Sequence, residues 1–299
     1  MAKKHPIIAV TGSSGAGTTT AKIAMEQVYR RNGFKAVEVE GDSFHKYDRK
    51  GMIVALKKAA EEGRNLSHFG PEGNEFGMLS DLFKQYKETG TGRIRKYLHN
   101  KTEADSYNQE PGTFSPFEDI EKGSDLLFYE GLHGGIAYED IDIGKQVDLL
   151  IGITPIVNLE WIQKIHRDTN ERGYSKDNVR ETILRRMYDY VHYMMPQFTG
   201  THINFQRVPT VDTSNPFIAR NIPTQDESFV VIRFGSELWR QIDYCFLLAM
   251  LNGSFMSRKN SIVVPGGKMG LAFEMIVEPL LINLITKGKL KWERVGGCV

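Results

Sequence analysis

The apolar positions of this chain fall into short runs that alternate with helical periods. His5–Thr11 reads HPIIAVT, a β-branched run that stops at a glycine, as a buried strand does. The next segment, TTTAKIAMEQVYRRNG, has Ile23, Val28 and Tyr29 on one helical face and Gly33 to end it. In KAVEVEGDSF, Val37 and Val39 alternate with Glu38 and Glu40, which predicts a second strand. From Arg49 to about Gly90 the pattern is helical and polar, interrupted at LSHFGPEGNEFG. SDLLFYEG (Ser124–Gly131) and VDLLIGITP (Val147–Pro155) predict a third and a fourth strand.

Asn158 is placed to cap a helix carrying LEWIQKIHRDTNERG, and SKDNVRETILRRMYDYVHYMM predicts another that Pro196 ends. The last third mixes strands (FQRVPTVDTS, SFVVIRF, NSIVVPG) with helices near Leu238–Leu251 and Lys268–Lys287. Strands alternating with helices predict an α/β fold around a mixed, mostly parallel sheet flanked by helices. Residues 91–123 carry no such period and are rich in Gly, Pro, Tyr and Asn, so they read as loops over a site.

Composition narrows this only a little. At 299 residues the chain is expected to form a single large domain. Its 38 Lys and Arg against 37 Asp and Glu give no general reason for nucleic-acid or membrane binding. No apolar stretch is expected to reach the ~18 residues that cross a bilayer. Two cysteines, Cys245 and Cys298, form no disulfide framework and fit a reducing cytoplasm.

The candidate chemistry begins at VTGSSGAGTTT. Gly12, Ser13, Ser14, Gly15, Ala16, Gly17, Thr18, Thr19 and Thr20 follow the first strand and open the first helix, where backbone N–H groups and the helix dipole converge on an anion. Gly12 and Gly17 have phosphate-loop spacing, and Thr19 could offer its hydroxyl to Mg2+. Thr18 stands where such loops carry lysine, so another cation must reach the phosphates. WIQKIHRDTNERG supplies candidates: Lys164, Arg167 and Asp168 share a helical face, and Arg172 follows. The second strand ends in EGDSFHKYDR, which puts Asp42 beside the expected phosphate site as a candidate general base. His45 and Arg49 are candidates to bind an anionic acceptor. Glu130 ends the third strand, where acids hold Mg2+ directly or through water. Tyr97 and His99 are candidate pocket residues.

Taken together, GSSGAGTTT, VEGDSFH, FYEGLHG, NLEWIQKIHRD, INFQRVPTVDTSNPFIAR and NSIVVPGGKMGLA resemble the bacterial phosphoribulokinases along nearly the whole chain. The resemblance implies a P-loop kinase fold that moves the γ-phosphate of Mg·ATP to the 1-hydroxyl of ribulose 5-phosphate. It implies Asp42 as catalytic base, Asp168 and Glu130 at the metal and reaction centre, and Lys164 and Arg167 as cations needed for turnover. His45, Arg49 and Arg172 match residues that hold the sugar phosphate. The family's own loop also lacks the lysine. A homo-oligomer, an octamer by resemblance, activated by NADH through Arg186 and Arg233 is a further expectation. Two rivals stand beside it: a kinase of the same shape for an acceptor such as uridine or pantothenate, and a non-catalytic nucleotide-binding regulator.

Overall fold

In the computed structural model, residues 5–13, 17–170, 173–235 and 237–293 are described. Ser14, Gly15, Ala16, Arg172 and Cys298, named above, lie outside them. Eight strands form one sheet. They are β1 (Ile7–Thr11), β2 (Ala36–Glu40), β3 (Leu126–Gly131), β4 (Leu149–Pro155), β5 (Ile203–Pro209), β6 (Ser228–Phe234), β7 (Phe255–Arg258) and β8 (Ser261–Pro265). Their order across the sheet is β7-β8-β6-β5-β4-β1-β3-β2. From β2 to β5 every pairing is parallel, and from β5 to β7 every pairing is antiparallel.

Strand β1 is central, and all five of its residues are buried. Its side chains alternate between two cores, as the period of two requires. Ile8 and Val10 face one core with Val28, Phe273 and Leu280, contributed by α1 (Thr18–Asn32) and α7 (Met269–Lys287). Ile7 and Ala9 face the other with Leu79, Phe83 and Tyr86 of α3 (Phe76–Thr89), which follows α2 (Arg49–Glu61) in the chain. Burial on both faces explains why β1 reads as an unbroken apolar run rather than an alternating one.

Helix α7 corrects the expectation that no apolar stretch approaches a membrane span. Gly266–Lys287 is a helical stretch of 22 residues, long and apolar enough to cross a bilayer. Its apolar side is instead packed in the sheet core. Arg31 of α1 meets Glu274 at 3.1 Å and Glu278 at 2.7 Å on the outer side.

Other predicted elements are shorter than their patterns. α4 (Val157–Asn170) begins one residue ahead of Asn158, which therefore lies inside it. α5 (Lys176–Arg185) is capped by Ser175, whose side chain accepts from Asn178 N at 3.2 Å. The predicted helix does not run on to Pro196. A π-helical turn, Tyr190–Met194, intervenes. Asp189, Tyr190 and Met194 are all buried, while Tyr188, Val191 and Met195 are exposed. In the last third, α6 (Tyr244–Met250) starts only after Asp243, whose side chain accepts from Phe246 N at 2.9 Å. The edge strand β7 had no forecast.

Candidate active site

Four parallel strands, β1 to β4, end at the same edge of the sheet, where open α/β sheets bind ligands. The loop after β1 supplies Gly12 and Ser13, and the turn after β2 supplies Asp42. Glu130 is the penultimate residue of β3, and β4 leads into α4 with Lys164, Arg167 and Asp168. A cleft of about 1010 Å3 opens there. Gly12, Thr19, Asp42, Glu130, Tyr97 and Arg167 all line it.

The glycine cradle is sterically specified. A Cβ on Gly12 would lie 2.6 Å from the Ile153 carbonyl oxygen and 2.9 Å from Thr18 Cγ2. Gly17 caps α1 with φ of 101°, a left-handed conformation that glycine adopts without strain. Thr18, at the lysine position, hydrogen-bonds Glu130. Burial raises the Glu130 carboxyl above the usual carboxylate range, and the Thr18 hydroxyl pulls it partly back.

α4 brings its charges together as its spacing requires. Lys164 Nζ pairs with Asp168 Oδ2. Arg167 donates to Asp168 Oδ1 from Nε at 3.1 Å and from Nη2 at 3.0 Å. Burial alone would push the Asp168 carboxyl up, but Lys164 and Arg167 hold it below its ordinary value. Asp168 is 5 % exposed, and its carboxylate is held between Lys164 and Arg167. Burial, reinforced by the charge of Arg186, brings the Lys164 ammonium down to about 8, against the pull of Asp168.

On the opposite wall, Asp42 Oδ1 lies 3.5 Å from His45 Nε2, and Oδ2 lies 3.7 Å from His99 Nε2. Arg49 Nη2 donates to the His99 carbonyl at 3.1 Å and hydrogen-bonds the Tyr97 side chain. The Tyr97 ring stands edge-on to His45, with centroids 5.9 Å apart. Residues 91–123 arch over this wall through the pairing of Arg93–Ile94 with Glu118–Asp119 and the Tyr97–Phe114 bridge.

The remaining arginines fall in separate surroundings. Arg186 lies over the Phe69 ring at 5.6 Å, and its charge reaches His45 and Lys164. Arg233, on β6, donates to the Phe198 carbonyl at 3.1 Å.

Four contributors went unseen in the sequence. Arg95 lines the cleft and pins the Asp42 turn by donating to the carbonyls of Ser43 at 2.9 Å and His45 at 3.0 Å. Lys22, also in the cleft, reaches Glu40 at 3.3 Å and Glu38 at 3.5 Å. The His68 ring lies against His45, tilted by 36° with centroids 4.2 Å apart, and burial lowers it to about 2, so it is neutral. Glu160 is buried on α4. Only two had a readable signal: Lys22 lies one turn after Thr18, and Glu160 lies one turn before Lys164.

Among the described residues, no three His, Cys, Asp or Glu side chains converge as a metal cage. Mg2+ is usually bound through one or two carboxylates, with water and substrate phosphates in its other positions. Glu130 with the Thr19 hydroxyl fits that need. The carboxylates of Glu38, Glu40 and Asp42 line the same cleft and favour a cation there.

A glycine cradle at a strand end, an arginine delivered by a separate helix and a carboxylate in the same cleft define a kinase of the P-loop class. The chain belongs to the phosphoribulokinase / uridine kinase family, whose profile matches residues 7–214. It is 54% identical over 97% of its length to a probable phosphoribulokinase of Escherichia coli, covering 100% of that protein. It is likewise 54% identical over 97% of its length to the chromosomal phosphoribulokinase of Cupriavidus necator, covering 99% of it. The solved phosphoribulokinase from Rhodobacter spheroides superposes with a TM-score of 0.87 at 51% identity, over 95% of this chain and 98% of that one.

Proposed function

We propose that the protein is an ATP-dependent phosphoribulokinase, which phosphorylates the 1-hydroxyl of ribulose 5-phosphate to give ribulose 1,5-bisphosphate and ADP. The observation that carries this reading is the single cleft in which the glycine cradle and Arg167 share space with Asp42, Tyr97 and His99. Identities of 51–55% to phosphoribulokinases over nearly the whole chain support the choice of acceptor.

The triphosphate rests on the backbone N–H groups of the cradle at the N-terminus of α1. Lys164 and Arg167 supply the charge that Thr18 does not, and they stabilise the moving phosphoryl group. Thr19 and Glu130 would hold Mg2+, which neutralises charge on the phosphate oxygens when bound. Asp42 takes the proton of the 1-hydroxyl as its oxygen bonds to the γ-phosphorus. The bond to the β,γ-bridging oxygen breaks, and ADP carries the negative charge away. Arg49 and Arg172, with His45, Tyr97 and His99, hold the far phosphate of the sugar. Asp168 keeps Lys164 and Arg167 together.

The same reading places the protein in the cytoplasm as a homo-oligomer, an octamer by resemblance. Exposed Leu184, Tyr188, Val191 and Met195 recur at helical spacing and offer an apolar contact face. NADH would activate it through Arg186 and Arg233. A coupled ADP-release assay with ribulose 5-phosphate and uridine as rival acceptors tests the function. Turnover with the sugar phosphate alone is expected. Turnover with uridine would favour the other branch of the family, and none with either would favour a regulator.

A further inference from the structure

Glu160 is a carboxylate held in the interior, 6 % exposed. Two segments reach it from elsewhere in the chain. Tyr190 Oη, from the π-helical turn, donates to Oε2 at 3.0 Å. Ser13, in the glycine loop and 2 % exposed, hydrogen-bonds the same carboxylate. Burial pushes the Glu160 carboxyl up, while Ser13, Tyr190 and the Lys164 charge counter it.

A buried carboxylate is a poor way to gain stability, because apolar residues of like volume generally do as well or better. Its placement has another consequence. Lys164 is four residues further along α4, with its side chain 13% exposed. A Glu preceding a Lys by four is the favourable orientation on a helix. One side chain therefore joins the loop that cradles the triphosphate, the helix that carries the substitute cation, and the turn that packs on Phe69 at a centroid distance of 5.9 Å.

We propose that Glu160 is a positioning residue: it sets the Lys164-bearing helix in register with the glycine loop, with Tyr190 as its brace. The inference rests on the role given to Lys164 above. A displacement of ~1 Å at such a site is enough to lose ~10²-fold in rate.

The test is a double-mutant cycle on the full chain, with kcat and both KM values read by ADP release and folding read by thermal melting. Glu160→Ala is expected to lower kcat about 30-fold while each KM stays within about threefold, since the lost interaction belongs to the transition state. Glu160→Gln keeps an acceptor oxygen for Tyr190 and presents an amide N–H that the Ser13 hydroxyl can accept, and it should recover kcat to within about fivefold of wild type. In a Lys164→Ala background, Glu160→Ala should cost less than about threefold, because coupled residues are non-additive. The same ~30-fold loss in that background would overturn the inference and leave the Lys164 role standing. Wild-type turnover in Lys164→Ala alone would remove both. Should Glu160→Ala fail to fold, Tyr190→Phe takes its place, with kcat expected to fall about fivefold only when Lys164 is present. Unchanged kcat in Tyr190→Phe would overturn the inference.

Discussion

The two walls of the cleft are built in opposite ways. The phosphate wall is made of strand ends and helix α4, and its charges are largely buried and mutually paired: Lys164 and Arg167 on Asp168, Glu160 on Ser13 and Tyr190. The acceptor wall is made of a turn and an irregular segment. There Asp42 and His99 are about two-fifths exposed, and Arg49 and Arg95 act mainly on backbone carbonyls. A phosphoryl group in transfer needs fixed charges that do not reorganise, which burial provides. An acceptor must enter and leave, which suits a wall that is partly open. Substitutions on the first wall should therefore change turnover, and those at the rim of the second should change the sugar-phosphate KM.

Asp42, on the acceptor wall, carries the proposed proton transfer, and its loss should be the largest. Asp42→Asn is expected to cut kcat by ~10²–10⁴, the range of general acid–base catalysis, with ATP affinity kept. Near-normal turnover, measured by ADP release, would take Asp42 out of the chemistry. Lys164→Ala should lower kcat by about 10²-fold, and Thr18→Lys in that background should restore only part of it. Full rescue by Thr18→Lys would mean the helix cation merely stands in for charge, without a geometric demand. Arg49→Ala should raise the KM for sugar phosphate about tenfold and that for ATP less than about twofold. The reverse ordering would assign Arg49 to the nucleotide and dissolve the contrast between the walls.

The smallest effect concerns pH. Lys164 is charged below about pH 8 and neutral above it in the free enzyme. Only the charged form stabilises the transferring phosphoryl group, so kcat/KM for ATP should fall on the alkaline side of that value. Lys164→Arg keeps its charge at all accessible pH, and its alkaline limb should move upward even if its rate is lower. An alkaline limb at the same pH in both enzymes would place that titration elsewhere.

Much of this organisation was legible in the sequence. The strand runs ending at Gly12, Asp42, Glu130 and Pro155 carried their own punctuation. A regular helix fixes the relation of residues four apart, so Lys164 and Asp168 could be paired on paper. The acceptor wall was legible only as separate candidates. Tyr97, His99 and Arg49 meet because residues 91–123 fold back across the sheet edge, and no short-range period encodes that return. Arg95 was invisible for the same reason, since its partners are carbonyls some fifty residues away. The long predicted helix after Ser175 stops at Arg185, and the turns beyond it hold Asp189, whose carboxylate accepts from Asn65 and Ser67, both at 2.6 Å.

By itself the sequence determined the layered architecture, the glycine-rich turn between β1 and α1, the absence of its lysine and the helical face shared by Lys164, Arg167 and Asp168. These follow from local periodicity and steric rules, which a short window of chain contains. Tertiary structure alone decided that Arg95 pins the Asp42 turn, that α7 lies within the core, and that Glu160 ties the loop to the helix. Each of these is a choice among partners distant in the chain, settled by which burial leaves the fewest charges and polar groups unsatisfied.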